Sequence, residues 1–274
     1  MTVPIVVKNF NGGELSLPKP AARIVSLVPS ITETVYYLGA AERIAGITEY
    51  CIHPHPLYKS RPRVGGPKDP SLARIRGLKP DLILASKEEN AREAVEKLRG
   101  IAPTFVCEVI TLDDAQSLIT SLGALTDTGG KAAELNTVID EARRRFAEHP
   151  PEYDFHRALY LVWKRPYRGI GERTYICNLL TAAGVKPLLF PQLPSRYPEL
   201  TPELIAQSGA ELVIFPDEPH NFTYRDIQEF REQFRELPAV VNHALFKVDG
   251  ATLCWYGYRT TYALDYIARV MTQP

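Results

Sequence analysis

Ile75-Arg76-Gly77-Leu78-Lys79-Pro80-Asp81-Leu82-Ile83-Leu84-Ala85-Ser86 and Ile205-Ala206-Gln207-Ser208-Gly209-Ala210-Glu211-Leu212-Val213-Ile214-Phe215-Pro216 are two versions of one phrase. Each ends a helix-like run and then enters an apolar strand. Each also lies at a similar distance behind another strand, Ile24–Val28 in the first case and Ala158–Trp163 in the second. The repetition predicts two similar α/β lobes, and a cleft between lobes is where a small ligand is held.

Between the two copies runs Lys131–His149, where Leu135, Val138, Ile139, Ala142 and Phe146 form one apolar face and Glu134, Asp140, Glu141 and Arg143–Arg145 the polar one. A helix of that length reaches on the order of 28 Å at ~1.5 Å per residue, enough to join two lobes. Pro150-Pro151 stops it. The predicted organisation is an N-terminal α/β lobe over residues 1–128, a linking helix over 129–149 and a C-terminal α/β lobe over 150–274.

Working outward, Ile5–Pro18 reads as a leading β-hairpin turned at Asn11-Gly12-Gly13, because Asn-Gly supplies the positive φ a tight turn requires. Arg23–Val28 is a short buried strand broken by Pro29-Ser30. Ser30 reads as the N-cap of a helix, with Glu33 completing a capping box. Strand, tight turn and helix form the first half of a βαβ unit, so the sheets are expected to be mainly parallel and covered by helices. Residues 44–48 read as the next strand, residues 88–99 as a charged helix, and the stretch after Thr48 through Gly65-Gly66-Pro67 as loop.

Lysine plus arginine and aspartate plus glutamate balance at 32 each, so no whole-chain field attracts nucleic acid or an anionic membrane. No segment approaches the ~18 apolar residues of a membrane span, and Met1–Val7 lacks the basic start and long apolar run of a secretory signal. On that basis the chain as written reads as cytoplasmic, the alternative being a periplasmic or cell-surface form with its signal removed. Cys51, Cys107, Cys177 and Cys254 are spaced too widely for a Cys-x-x-Cys site. There is no Gly-x-Ser-x-Gly elbow, no His-Glu-x-x-His and no P-loop.

Arg23–Glu33, Gly65-Gly66, Leu78–Ile83, Leu200-Thr201-Pro202-Glu203 and the mid-chain helix together resemble the helical-backbone (class III) substrate-binding proteins of ABC importers. The similarity is greatest to the vitamin B12-binding branch. The resemblance implies two lobes joined by one rigid helix and a metal-chelate ligand, cobalamin-like, in the cleft. A ferric siderophore or haem is the alternative ligand. Such a protein needs no cofactor and performs no catalysis; the competing enzymatic reading is a chelatase-like metal insertion. The resemblance also implies an acidic residue on a helix of each lobe that docks to the permease. Glu203 matches that position in the second lobe, whereas Ala73 stands at it in the first.

Loops after the carboxyl ends of parallel strands line the crevice of an α/β sheet. Here these are Pro29-Ser30, Tyr50–His55, Gly65–Asp69, Trp163–Arg168, Arg196-Tyr197 and Trp255–Arg259. Cys51, His53 and His55 alternate along an extended segment, so Cys51 and His53 are candidate ligands of a borderline metal. Trp163, Arg165, Tyr167, Arg196, Tyr197, Trp255, Tyr258 and Arg259 combine flat aromatic faces with guanidinium forks, which suits a planar macrocycle bearing polar groups. Ser30, Tyr50, Pro67, Lys68, Glu88 and Asn90 complete the expected ligand-binding set. A helix-capping role for Lys87–Asn90 and a core-packing role for both tryptophans stand beside these readings.

Overall fold

The computed structural model describes residues 4–9, 13–153 and 157–272. Two compact units divide the chain. The first takes residues up to Val109, Asp113–Ile139 and Trp255–Thr261; the second takes Ile110–Leu112, Asp140–Cys254 and the chain from Tyr262 on.

The first unit is built on a four-stranded sheet in the order Ile44–Ile47, Ile24–Ser26, Leu82–Ser86, Thr104–Cys107, every pair parallel. Leu82–Ser86 is buried at every position, as an unbroken apolar strand must be when helices cover both faces. Val25, Leu27, Val64, Ile75, Ile83 and Leu98 form a core on this sheet. The leading hairpin pairs Ile5–Lys8 with Glu14–Leu17 antiparallel. Its Asn11-Gly12 turn lies outside the described residues.

The second unit has three parallel strands in the order Leu245–Val248, Leu212–Pro216, Ala158–Tyr160. An antiparallel pair of Tyr167–Arg168 with Glu199–Leu200 was not anticipated. Phe215, Phe222 and Phe230 pack edge to face in its core.

The repeated phrase is repeated in hydrogen bonds. In the first unit Ser71 caps the helix Leu72–Gly77, its Oγ accepting from the Arg74 amide at 3.4 Å. In the second Thr201 caps Pro202–Gln207, its Oγ1 accepting from the Leu204 amide at 3.3 Å. Ile75 and Ile205 are the buried anchors of these helices. Each helix exits through one left-handed residue, Lys79 at φ 47° and Gly209 at φ 62°. The Asp81 and Leu82 amides both donate to the Arg23 carbonyl, and the Glu211 and Leu212 amides both donate to that of Arg157. The strand registers match as well, Ile24 opposite Leu82 and Ala158 opposite Leu212.

Several local expectations are corrected. Val28, not Ser30, is the N-cap of the helix Pro29–Val35: Pro29 takes the first helical position, where its fixed φ suits the helix and its missing N–H costs nothing. The capping box is therefore absent, and Glu33 is released for another partner. The charged helix is shorter, Arg92–Arg99, because residues 87–91 form a turn held by Asn90. Residues 55–60, expected as loop, are helical, with Pro56 in the first turn. The mid-chain helix is continuous over Gly129–Glu148. Leu135, Ile139, Ala142 and Phe146 are buried along it, but Val138 is 45% exposed.

Candidate functional site

In the first unit the carboxyl ends of the parallel strands carry a ring of short polar side chains. Thr32 Oγ1 lies 2.8 Å from Ser26 Oγ and 3.2 Å from Cys51 Sγ, and Thr48 Oγ1 lies 3.1 Å from the same sulfur. Burial raises the Cys51 thiol above its ordinary pKa, only partly offset by hydrogen bonds with the two threonines. Asn90 braces the neighbouring loops: its Oδ1 accepts from the Ser86 amide and its Nδ2 donates to the Pro67 carbonyl, at 2.8 and 2.7 Å.

The stretch Trp255–Thr261 belongs to this same unit, not with the second-half loops among which the sequence reading set it. Its Arg259 meets the buried Glu33 carboxylate with Nε at 2.7 Å from Oε2 and Nη2 at 3.1 Å from Oε1. Arg259 Cζ stands 4.7 Å over the Trp255 ring, and the His53 ring meets Trp255 edge to face at 5.9 Å. The Tyr258 amide donates to Thr34 Oγ1 at 3.0 Å, and the Tyr258 ring stacks on Tyr37 with centroids 3.5 Å apart. Gly257 makes this approach possible. Its φ of +97° is left-handed, and an added Cβ would fall 2.2 Å from Thr34 Oγ1.

In the second unit Trp163 follows the strand Ala158–Tyr160 and is 43% exposed, its ring 5.3 Å from that of His220. Lys164 behind it is buried between Asp226 at 2.6 Å and Glu229 at 2.7 Å. Burial alone would raise the Asp226 carboxyl, but hydrogen bonds from Lys164 and Thr223, with the lysine charge, hold it well below the usual carboxylate range. Arg165 reaches Glu229 from the surface, and Arg168 pairs with Glu199. Lys164, Arg165, Tyr167, Glu199, Pro202 and Glu229 line part of an open groove of about 360 Å³.

The expected residues fall into three groups. Trp255 touches both His53 and Arg259, and Tyr258 lies between Trp255 and Arg259 in the same stretch; Asn90 and Pro67 are hydrogen-bonded to each other. Trp163 and Arg165 are both exposed in the second unit, whereas Tyr167 packs between Phe230 and Phe234 in the core. Tyr50, Lys68 and Glu88 lie on the surface, Arg196 and Tyr197 are half-buried, and Ser30 is buried with its Oγ lacking a hydrogen-bond partner. The proposed metal pair is split: Cys51 is sealed among threonines while His53 is exposed. Among the described residues no group of three or more His, Cys, Asp or Glu is placed to hold a metal ion. Glu33, Thr34 and Tyr37, which meet Arg259 and Tyr258, were not among the expected residues. The signal for Glu33 was present, but a capping box explained it away.

A curated vitamin B12-binding protein from Vibrio cholerae is 26% identical over 94% of this chain and 91% of its own length. An uncharacterized ABC transporter substrate-binding lipoprotein of Bacillus subtilis is 23% identical over 90% of this chain and 78% of its own. The crystal structure of the periplasmic vitamin B12 binding protein of V. cholerae shares the fold with a TM-score of 0.78, at 22% identity, covering 92% of this chain and 97% of that one. A periplasmic heme binding protein from Pseudomonas aeruginosa does so with a TM-score of 0.79, at 18% identity and 92% of each chain. The family model described as periplasmic binding protein matches residues 24–252. That match overturns the cytoplasmic reading, which rested on the lack of a secretory signal in Met1–Val7 and of a membrane-spanning segment. Its relatives work outside the cytoplasm. A repeated helix-to-strand phrase, a parallel sheet in each unit and a match over most of its length lead to one conclusion: the chain belongs to the periplasmic binding protein family.

Proposed function

We propose that this protein binds a metal chelate, a cobalt corrinoid of the cobalamin type, without covalent chemistry, for delivery to an ABC-type importer. The observation that carries the reading is Trp163. It is one of two tryptophans in the chain, exposed at the carboxyl end of a parallel strand and followed by the exposed Arg165. An open aromatic face next to a guanidinium suits the flat face of a macrocycle and its polar side groups. In the first unit the exposed His53, mounted on Trp255, is the corresponding group. The relationship to a curated vitamin B12-binding protein supports the corrinoid over other chelates. In the first unit the proposed ligand contacts are His53, Tyr50, Pro67, Lys68, Glu88 and Asn90; in the second they are Trp163, Arg165, Arg196 and Tyr197. The metal comes with its chelate and takes no donor from Cys51.

Glu203 is the docking residue toward the importer. It is exposed on the first turn of Pro202–Gln207. Hydrogen bonds from its own backbone and from Thr201 hold its carboxyl below the usual range. The matching turn of the first unit carries Ala73 followed by the exposed Arg74 and Arg76, so the two helices offer a partner opposite charge.

The absorption spectrum of protein purified from its native host tests the ligand class. Corrinoid bands support the proposal; a haem Soret band or a ferric-siderophore charge-transfer band replaces the ligand named here. Catalytic turnover of free metal with a tetrapyrrole would overturn binding as the function.

A further inference from the structure

We infer that Glu33 and Arg259 are positioning residues of the ligand site, acting on the ligand through Trp255 and His53. This deepens the ligand-binding proposal and rests on it. The chain of contacts is continuous within the first unit. The Glu33 carboxylate accepts two hydrogen bonds from the Arg259 guanidinium, at 2.7 and 3.1 Å. The guanidinium carbon lies 4.7 Å over the Trp255 ring. The edge of that indole meets the imidazole of His53 at 5.9 Å and 67°. Glu33, Arg259 and Trp255 are buried, and only the last member of the series, the His53 imidazole, is exposed to solvent or ligand.

Each link has a directional cause. A two-pronged Arg–carboxylate pair fixes the plane of the guanidinium as well as its place. A cation over an indole face is held by the ring quadrupole, and burial strengthens that attraction. The edge-to-face contact then restricts the imidazole rotamer, and an ordered group binds with less entropy to lose. The backbone is clamped beside it, since Tyr258 donates to Thr34 Oγ1 and Gly257 leaves no room for a Cβ. If the ion pair were only a staple for the chain end, its loss would lower stability and leave His53 unchanged.

The test has two arms. In the protein without ligand, the His53 imidazole resonances are compared in wild type, Glu33→Gln and Arg259→Lys. The inference predicts that both variants, at temperatures where they remain folded, shift and broaden the His53 ring signals while those of His149 stay put. Unchanged His53 signals in both overturn it, whatever the ligand proves to be. In the second arm, affinity for cyanocobalamin, or for haemin if the wild type takes that instead, is measured for His53→Ala, Glu33→Gln and the double variant. Each single variant weakens binding about tenfold, and the double variant loses little more, because the two act as a unit. Losses that multiply, or full affinity in Glu33→Gln, overturn the inference. A wild type that binds neither probe instead removes the corrinoid proposal, and the imidazole arm still decides the positioning role.

Discussion

Glu33 and Arg259, separated by 226 positions in the chain, meet as a two-pronged ion pair in the interior of the first unit. The pair ties a stretch near the chain end to the first helix of the same unit. Removing one partner leaves the other charged and buried, which costs about 3 kcal/mol or more, whereas replacing both with apolar groups of similar volume is much better tolerated. Urea unfolding is therefore expected to show a loss of about 3 kcal/mol for Glu33→Ala, and most of it recovered in Glu33→Leu with Arg259→Met.

Gly257 should tolerate no side chain. Its φ is +97°, and a methyl group would overlap Thr34 Oγ1 at 2.2 Å, so Gly257→Ala combines backbone strain with a clash. A destabilisation on the order of 2 kcal/mol is expected from the same unfolding measurement. Wild-type stability would show that the Tyr258 to Thr34 hydrogen bond is not held as described.

Thiol chemistry should separate the four cysteines. Burial pushes the Cys107 thiol up to about 12, against a hydrogen bond with Tyr256, and Cys51 and Cys177 are raised for the same first reason. Only Cys254 is partly exposed. The thiolate is the reactive form, so Ellman's reagent at neutral pH should label Cys254 first and the other three only on unfolding. Rapid labelling of Cys51 would place it in the open site after all.

Much of this fold was legible. The phrases at 75–86 and 205–216 predicted two similar α/β lobes, the strand, turn and helix at Arg23–Glu33 predicted parallel sheets, and the structure repeats the phrase down to single hydrogen bonds. The site was less legible, for a reason visible at Glu33. Ser30 and Glu33 satisfy a local capping pattern, and only the fold reveals that Pro29 fills the turn and that the carboxylate goes to Arg259. Likewise, sequence position set Trp255–Arg259 with the second half, since no local pattern records that the chain returns to the first unit. Tyr167 stands in the loop Trp163–Arg168 among arginines, yet it faces Phe230 and Phe234.

Acid should act through Lys164. Hydrogen bonds and the charge of Lys164 depress the Glu229 carboxyl, and Asp226 is held low by Lys164 and Thr223 against its burial. Carboxylates with depressed pKa values contribute stability that is complete above the ordinary carboxylate range, about pH 4, and lost as the pH falls through their folded values. The Tm gap between wild type and Lys164→Met is therefore expected to be full at pH 7 and to narrow below about pH 4. A gap independent of pH would exclude this ion cluster as its source.

Docking should separate from binding at Glu203. Glu203→Lys is expected to leave ligand affinity unchanged and to reduce stimulation of the importer's ATPase at least tenfold, the charge now opposing the partner's. Ligand affinity that falls with it would place Glu203 in the binding site instead.

The account stands most directly on calorimetric titration of the purified protein with cyanocobalamin, alongside haemin and a ferric siderophore. It predicts saturable one-to-one binding of cyanocobalamin, weakened at least tenfold by Trp163→Ala, with the other two chelates bound more weakly. No saturable binding of any corrinoid, haem or ferric chelate, or cobalamin binding untouched by loss of Trp163, would contradict it.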